Sequence, residues 1–340
     1  MRTNVVAYTF ARTFVFQKLA SSNKTSTQPD TMNSKLFNKS IFTLTLLTLA
    51  VCSSCSKDDS GSSSTEQKET IVNNANSNLK DVRPATHRLE FPRLKGGSST
   101  ILTHKLNTGE INYSVEWDIV KKSNRWTCYE IYARNVEKNV PRKPYTDPNQ
   151  YPFDPLFPAN AFFTYDPYRG SGYDHGHLCP SEDRRYSRES NDQTFYLSNM
   201  QPQVHGFNAG VWETMESKMR TYITAAKISK DTLFICRGGT IDKTGQFMTI
   251  RSNFIVPKYF FSAALMKYKV YGQDKWEYKA IGFWFEHKSN SDRSLKPYVV
   301  SINELEQLTG IDFFCNLPDD IERKVESVSK EKIIDLWNIQ

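Results

Sequence analysis

Between Gly172 and Glu216 the chain reads GYDHGHLCPSEDRRYSRESNDQTFYLSNMQPQVHGFNAGVWETME, a stretch that gathers imidazoles, carboxamides and a carboxylate. Hydrolysis of a phosphodiester needs a base to take a proton from water, a cation to offset charge growing on the phosphoryl and leaving oxygens, and ligands for that cation. His177 is the candidate base, because an imidazole with an ordinary pKa of about 6.5 accepts a proton near neutral pH without a large shift. Asn208 is the candidate ligand, its amide oxygen being a neutral, hard donor suited to a Mg2+ ion that keeps most of its waters; Mn2+ or Ca2+ would also fit such a site. Each residue alone has a blander explanation. A histidine beside glycine more often satisfies a turn, an asparagine more often caps a helix, and Glu216 by itself reads as a solvated charge. His87, His104, His205 and His287 lack comparable surroundings, although His205 lies close enough in sequence to line a cleft.

These residues need elements to position them. Tyr113, Val115, Trp117 and Ile119 alternate with Asn112, Ser114, Glu116 and Asp118, which predicts a half-buried strand preceded by the turn Asn107-Thr108-Gly109. Trp126–Tyr132 is a second β-rich run, so the two form a hairpin. Tyr145–Arg169, rich in Pro, Asp, Tyr and Phe, has neither period and predicts a long packed loop. Thr194–Ser198 favours strand, and Val211, Met215, Met219 and Ile223 mark the buried stripe of a helix over Asn208–Ile223. Further strands are expected at Thr232–Cys236, Ser252–Val256 and Ala280–Phe285, and a helix at Ser301–Thr309, capped by serine with Glu304 in capping-box position and stopped by Gly310. Strands and helices without regular alternation imply an α+β domain, not a doubly wound sheet.

The same stretch resembles the sugar-non-specific DNA/RNA endonucleases of the ββα-metal fold, relatives of mitochondrial endonuclease G. Their signature, Asp-Arg-Gly-His-Leu-Ala-Pro, then Ser-Asn, then Phe-Asn and a later Glu, is matched by Asp174–Pro180, Leu197-Ser198-Asn199, Phe207-Asn208 and Glu216, and the similarity extends over Leu89–Glu322. The resemblance implies a core of central antiparallel sheet flanked by helices and long loops. It also implies His177 as general base, Asn208 as direct metal ligand, and Glu216 acting through a water on the metal, since eight helical residues span roughly 12 Å. Asn199 would orient His177 or such a water, with a buried turn asparagine as the alternative, and Asp174 would fix the turn that presents His177. His175 departs from the pattern, which has arginine there. Histidine is a weaker phosphate clamp whose charge is lost above its pKa, so Arg142, Arg184 or Arg185 would supply the missing cation, with Arg142 preferred because it precedes the family-like Phe153-Asp154-Pro155. Cys179 replaces the family's alanine, a small-for-small change.

Composition adds little. The 340-residue chain carries a net charge of +7, but the first 55 residues hold six basic residues against Asp30, so the remainder is only weakly basic. Ile41–Val51 is an apolar run of signal-peptide length behind Lys35 and Lys39, and no segment reaches the roughly 18 apolar residues of a membrane span. Met32 is a candidate initiator, with residues 1–31 an upstream extension. VCSSCSKDDSGSSS resembles a lipoprotein processing site, which points to lipidation of Cys55, with Cys52 as the alternative, and to an exported, surface or outer-membrane protein held by a lipid anchor, with a periplasmic or secreted protein as the alternative. The expected organisation is a leader at 1–55, a polar tether at 56–80, a nuclease domain at 81–330 and a tail at 331–340. Cys128, Cys179, Cys236 and Cys315 lack the paired spacing of a zinc site and could be disulfides or buried thiols. The function expected is metal-dependent cleavage of DNA and/or RNA with little sequence preference. The alternative is a catalytically weakened nucleic-acid-binding or adhesive lipoprotein on the same scaffold.

Overall fold

The computed structural model describes residues 74–144, 146, 149–225, 231–270 and 272–340. The leader with Cys55 and most of the tether lie outside the described residues. In chain order the strands are β1 (Ser99–Lys105), β2 (Ile111–Asp118), β3 (Ser123–Ile131), β4 (Asp174–His177), β5 (Met200–Gln203), β6 (Thr232–Gly239), β7 (Phe247–Ile250), β8 (Phe254–Pro257), β9 (Tyr259–Lys269), β10 (Trp276–Glu286) and β11 (Val299–Val300). The helices are α1 (Arg188–Gln193), the single turn α2 (His205–Phe207), α3 (Glu213–Ala225), α4 (Ile302–Thr309), α5 (Asp319–Glu326) and α6 (Lys330–Leu336). Seven strands form one antiparallel sheet in the order β1-β2-β3-β6-β9-β10-β11, beside the small ribbons β4–β5 and β7–β8. The expected α+β class and central antiparallel sheet are therefore present.

The sheet is covered on both faces. On one, Val211, Met215, Met219 and Ile223 of the long helix pack with Val115, Tyr129, Ile235 and Phe260; on the other, Ile302 and Leu305 pack with Cys128, Phe261 and Leu265. This double cover corrects the expectation that β2 is half-buried, because Ser114, Glu116 and Asp118 are also buried. Buried carboxylates need partners. Arg125, only 3% exposed, supplies them, reaching Glu116 at 3.3 Å, Asp118 at 2.8 Å and Asp242 at 2.8 Å.

Several element boundaries differ from the sequence reading. Thr194–Ser198 is not a strand: it starts with Thr194, the residue that caps the end of α1, a tight turn covers Leu197–Asn199, and β5 starts only at Met200. The β-favouring side chains there serve the core, with Phe195 and Leu197 fully buried. Residues 331–340 are not a tail, since Ile333, Trp337 and Ile339 enter the core and Trp337 Nε1 donates to the Ala280 carbonyl at 3.1 Å. The tether ends sooner than expected, because Asn76 already donates to Asp312 and Glu322 and Asn78 is buried. The four cysteines of the domain are free and buried, Cys128 opposite Cys236 in the β3–β6 register. α4 begins and ends as expected, Ser301 accepting from the Glu304 amide at 3.1 Å and Gly310 adopting φ 77°.

Asn76 also touches an acidic cluster with consequences for stability. Burial and the charges of Glu306, Glu322 and Asp312 push the Glu326 carboxyl up to about 9, and its buried Oε1 has no hydrogen-bond partner. Burial likewise raises Glu306 and Glu322 to about 7. Carboxyls whose folded pKa exceeds the unfolded value bind more protons when folded, so their support is complete below pH ~4.5 and declines as pH rises toward ~9. Glu326→Gln is expected to raise the melting temperature by roughly 3 °C at pH 8.5 and to change it little at pH 4.5. Equal shifts at both pH values in differential scanning calorimetry would contradict this.

Candidate active site

His177 ends β4, which pairs with β5 so that His177 faces Met200 and Gly176 faces Gln201. The glycine between His175 and His177 is required by packing, since a Cβ at Gly176 would sit 2.3 Å from Gln203 Cδ. Phe195 meets the His177 ring edge-on at 5.0 Å and Tyr151, from the long loop, at 6.3 Å. The ring is half-buried, and Nε2 is shielded from solvent without a hydrogen-bond partner. An Nε2 without a hydrogen-bond partner has its lone pair available to accept a proton. Burial first, then the charges of Arg142 and His175, pull the imidazole down to about 3.

Asn208 follows the single turn α2 and opens a widened turn over Asn208–Trp212, where Gly210 leaves helical geometry at φ −108°, ψ −120°. Widened helical turns of this kind recur at functional sites. Asn208 does not cap the helix. Its Nδ2 donates to Asp174 Oδ2 at 3.0 Å, leaving the amide oxygen as its uncommitted end, and the same carboxylate oxygen takes His205 Nδ1 at 2.9 Å. Asp174 thus anchors the carboxamide of Asn208, a task the sequence reading did not give it.

One helical stripe of α3 carries the rest of the site. Glu213, Glu216, Ser217, Arg220 and Thr221 line a cavity of about 940 Å³ together with His177, Asn208, Arg142 and Lys138. Burial pushes the Glu216 carboxyl up to about 7 against the pull of Arg237 and Arg220. Its Oε1 lies 3.6 Å from Arg237 Nη1 and, although shielded, accepts no hydrogen bond. Arg220 is held by Asp183 at 2.8 Å, and Asp183 in turn accepts from the Tyr129 hydroxyl at 3.0 Å. Arg142 lies 4.8 Å from the centre of the Phe195 ring, the same ring that meets His177.

The structure brings His177, Asn208, Glu216 and Arg142 to one cavity and places the other expected residues elsewhere. Asn199 is fully buried, its Oδ1 accepting from the Cys179 amide at 2.9 Å and its Nδ2 donating to the carbonyls of Cys179 and Thr194. Its carboxamide is engaged by backbone, so it pins the segment after His177. Arg184 is likewise buried, donating to the carbonyls of Asn112, Glu130 and Asp183, and Arg185 is tied to Val140 and Glu182. Neither lines the cavity that holds His177 and Asn208. His175 is not among the cavity's lining residues: Tyr151 and Tyr168 stack on it at 3.8 and 4.5 Å, and Asp166 holds Nε2 at 3.0 Å. Arg220 and Lys138 were missed in the sequence. Arg220 was legible as the residue one turn after Glu216, whereas nothing near Lys138 distinguishes it. His104 and His287 are structural, the first paired with buried Asp154 and the second bridging the Pro257 carbonyl and the Val204 amide.

The profile of the DNA/RNA non-specific endonuclease family matches residues 97–320. The chain belongs to this family. A nuclease from Nostoc sp. is 27% identical over 224 residues, covering 63% of this chain and 75% of the relative. Nuclease C1 of Cunninghamella echinulata is 30% identical over 214 residues, covering 61% of this chain and 81% of the relative. The solved structure of an EndoG/EndoGI complex shares the fold at a TM-score of 0.53 and 22% identity, covering 69% of this chain and 93% of that one. Family membership makes this protein a hydrolase of nucleic-acid phosphodiester bonds.

Proposed function

We propose that the protein is an endonuclease with little sequence preference for DNA and/or RNA, that His177 is its general base, and that Asn208 and Glu216 hold a divalent cation, Mg2+ in the first instance with Mn2+ or Ca2+ as substitutes. The reading rests on one observation: His177 Nε2 and Glu216 Oε1 are shielded polar atoms without hydrogen-bond partners, and both residues line the cavity that Asn208 also lines. Buried polar atoms are otherwise almost always satisfied. Among the described residues no three His, Cys, Asp or Glu side chains form a cation cage. A site of one amide oxygen and one carboxylate suits a small hard cation that keeps its waters. When bound, that cation would offset the charge that builds on the phosphoryl oxygens during cleavage.

The chain's own residues do the remainder. Arg142, Lys138 and Arg220 place positive charge around the cavity and hold the phosphate. An imidazole pulled down to about 3 is unprotonated at every physiological pH but a weak proton acceptor. Burial is the larger cause of that depression and Arg142 the next, so a phosphate that neutralises Arg142 raises the imidazole part of the way back as substrate arrives. Residues that orient a metal ligand are worth about 10–100-fold in affinity or activity. Asp174→Ala is therefore expected to raise the magnesium concentration for half-maximal activity by that factor, and an unchanged titration would show that Asn208 needs no anchor.

Plasmid degradation with and without EDTA tests the whole reading, run beside a gel-shift assay. Cutting that EDTA stops supports it, whereas a shift without cutting leaves a binding protein on this scaffold. We further propose that the protein is exported and held to a membrane surface by lipid on Cys55. The support is the apolar run and the cysteine after small residues, and the test is whether Cys55→Ser moves the protein from the detergent phase to the aqueous phase. Among the described residues no helix is long and apolar enough to cross a membrane.

A further inference from the structure

A second cavity, of about 230 Å³, adjoins the elements that hold Asn208. Tyr173 and Val204 line it, and each directly precedes one of the residues, Asp174 and His205, whose side chains meet at 2.9 Å beside Asn208. Its other walls are flat and fixed. His287 is locked by its bonds to the Pro257 carbonyl at 2.7 Å and the Val204 amide at 2.8 Å, with the Tyr173 ring 5.9 Å away. Tyr259 is stacked on Trp284 at 4.8 Å and 15°. Met248, 43% exposed, is contributed by the β7–β8 ribbon, and Lys258 is an exposed cation at the rim, where Lys288 neutralises Glu286.

We infer that this cavity receives one nucleobase of the substrate strand, neighbouring the phosphate that is cut. Aromatic and thioether walls with a single cation at the edge are the composition that holds single-stranded nucleic acid, because every base has a π-face and every nucleotide a phosphate. The walls present the base with surface and few directed hydrogen bonds, which fits an enzyme without sequence preference. The phosphate and the base would then be gripped on either side of Asp174, which ties the strand's register to the residues that hold Asn208. The inference rests on the nuclease reading proposed above.

The test is a set of single-stranded oligodeoxynucleotides, each lacking one base at a different position, cut by the full chain in magnesium and mapped by gel. With the wild-type protein, cleavage is expected to fall about ten-fold at the one phosphate that stands at a fixed offset from the missing base. Tyr173→Ala should lower cutting of the intact strand about as much and erase the offset penalty, since base and ring act as one contact. Met248→Glu, a change on an exposed ribbon residue, should weaken the same penalty if Tyr173→Ala does not fold. Cleavage indifferent to the missing base, or a penalty equally large in both variants, overturns the inference and leaves the nuclease standing. Failure to cut these strands together with duplex DNA and RNA overturns the nuclease reading instead.

Discussion

Replacing His177 with alanine is expected to lower turnover of plasmid DNA about a thousand-fold, while retention of DNA in a gel shift changes less than about two-fold. A general base acts on the transition state, whereas Arg142, Lys138 and Arg220 line the cavity independently of the ring. The fold should survive, because Nε2 has no partner to lose and the ring is only half-buried. Stability also carries a sign. The folded imidazole is held down to about 3, so the unfolded chain binds the extra proton below pH ~6.5 and the wild type loses stability as pH falls from there toward ~3. The alanine variant lacks that loss. Its melting temperature relative to wild type should therefore be higher at pH 4 than at pH 7.5. Turnover within ten-fold of wild type would remove His177 from the mechanism, and a pH-independent difference in melting temperature would show that the ring is not held neutral.

The second large effect is expected at Asn208. Residues that merely orient a ligand are worth about 10–100-fold. Loss of the ligand oxygen itself in Asn208→Ala should exceed that and be accompanied by loss of Mg2+ binding in calorimetry. Asn208→Asp, usually a mild change and one that adds a hard oxygen ligand, should also be poor. The Asn208 amide nitrogen donates to Asp174 Oδ2 at 3.0 Å, and a carboxylate in its place sets two negative oxygens against each other. The repulsion turns the new side chain away from its present pose. Asp174→Asn should then partly rescue Asn208→Asp by returning a donor to the pair. Full activity of Asn208→Asp in an unchanged background would show that the contact with Asp174 does not set the ligand's position.

The grouping of the candidate site residues was readable because it is local. Asp174, His177, Asn208 and Glu216 lie in one stretch, and the fourfold spacing of Met215, Met219 and Ile223, continued back to Val211 in the widened turn, fixes which face of α3 is core and hence which face, that of Glu216 and Arg220, looks into the cavity. What failed was also local in appearance. Asn199 and Arg184 look like functional polar residues in a motif-rich segment, yet both are buried and bonded to backbone groups. Their partners are contributed by β2, β3 and the turn after β4, and such long-range pairings leave no trace in spacing.

Sequence alone determined the α+β class, the central hairpin, the helix that carries Glu216 and the type of chemistry, because periodicity and residue identity are properties of neighbours along the chain. Only the tertiary structure decided which cations line the cavity, that His175 is clasped by Tyr151, Tyr168 and Asp166, and that Asp174 holds Asn208. It also decided that residues 331–340 are core, not tail. The reason is the same in each case: burial and hydrogen-bond partnership are set by what folds across from a residue, and Tyr151, Asp166 and Tyr168 reach His175 and His177 from a loop whose spacing carries no period.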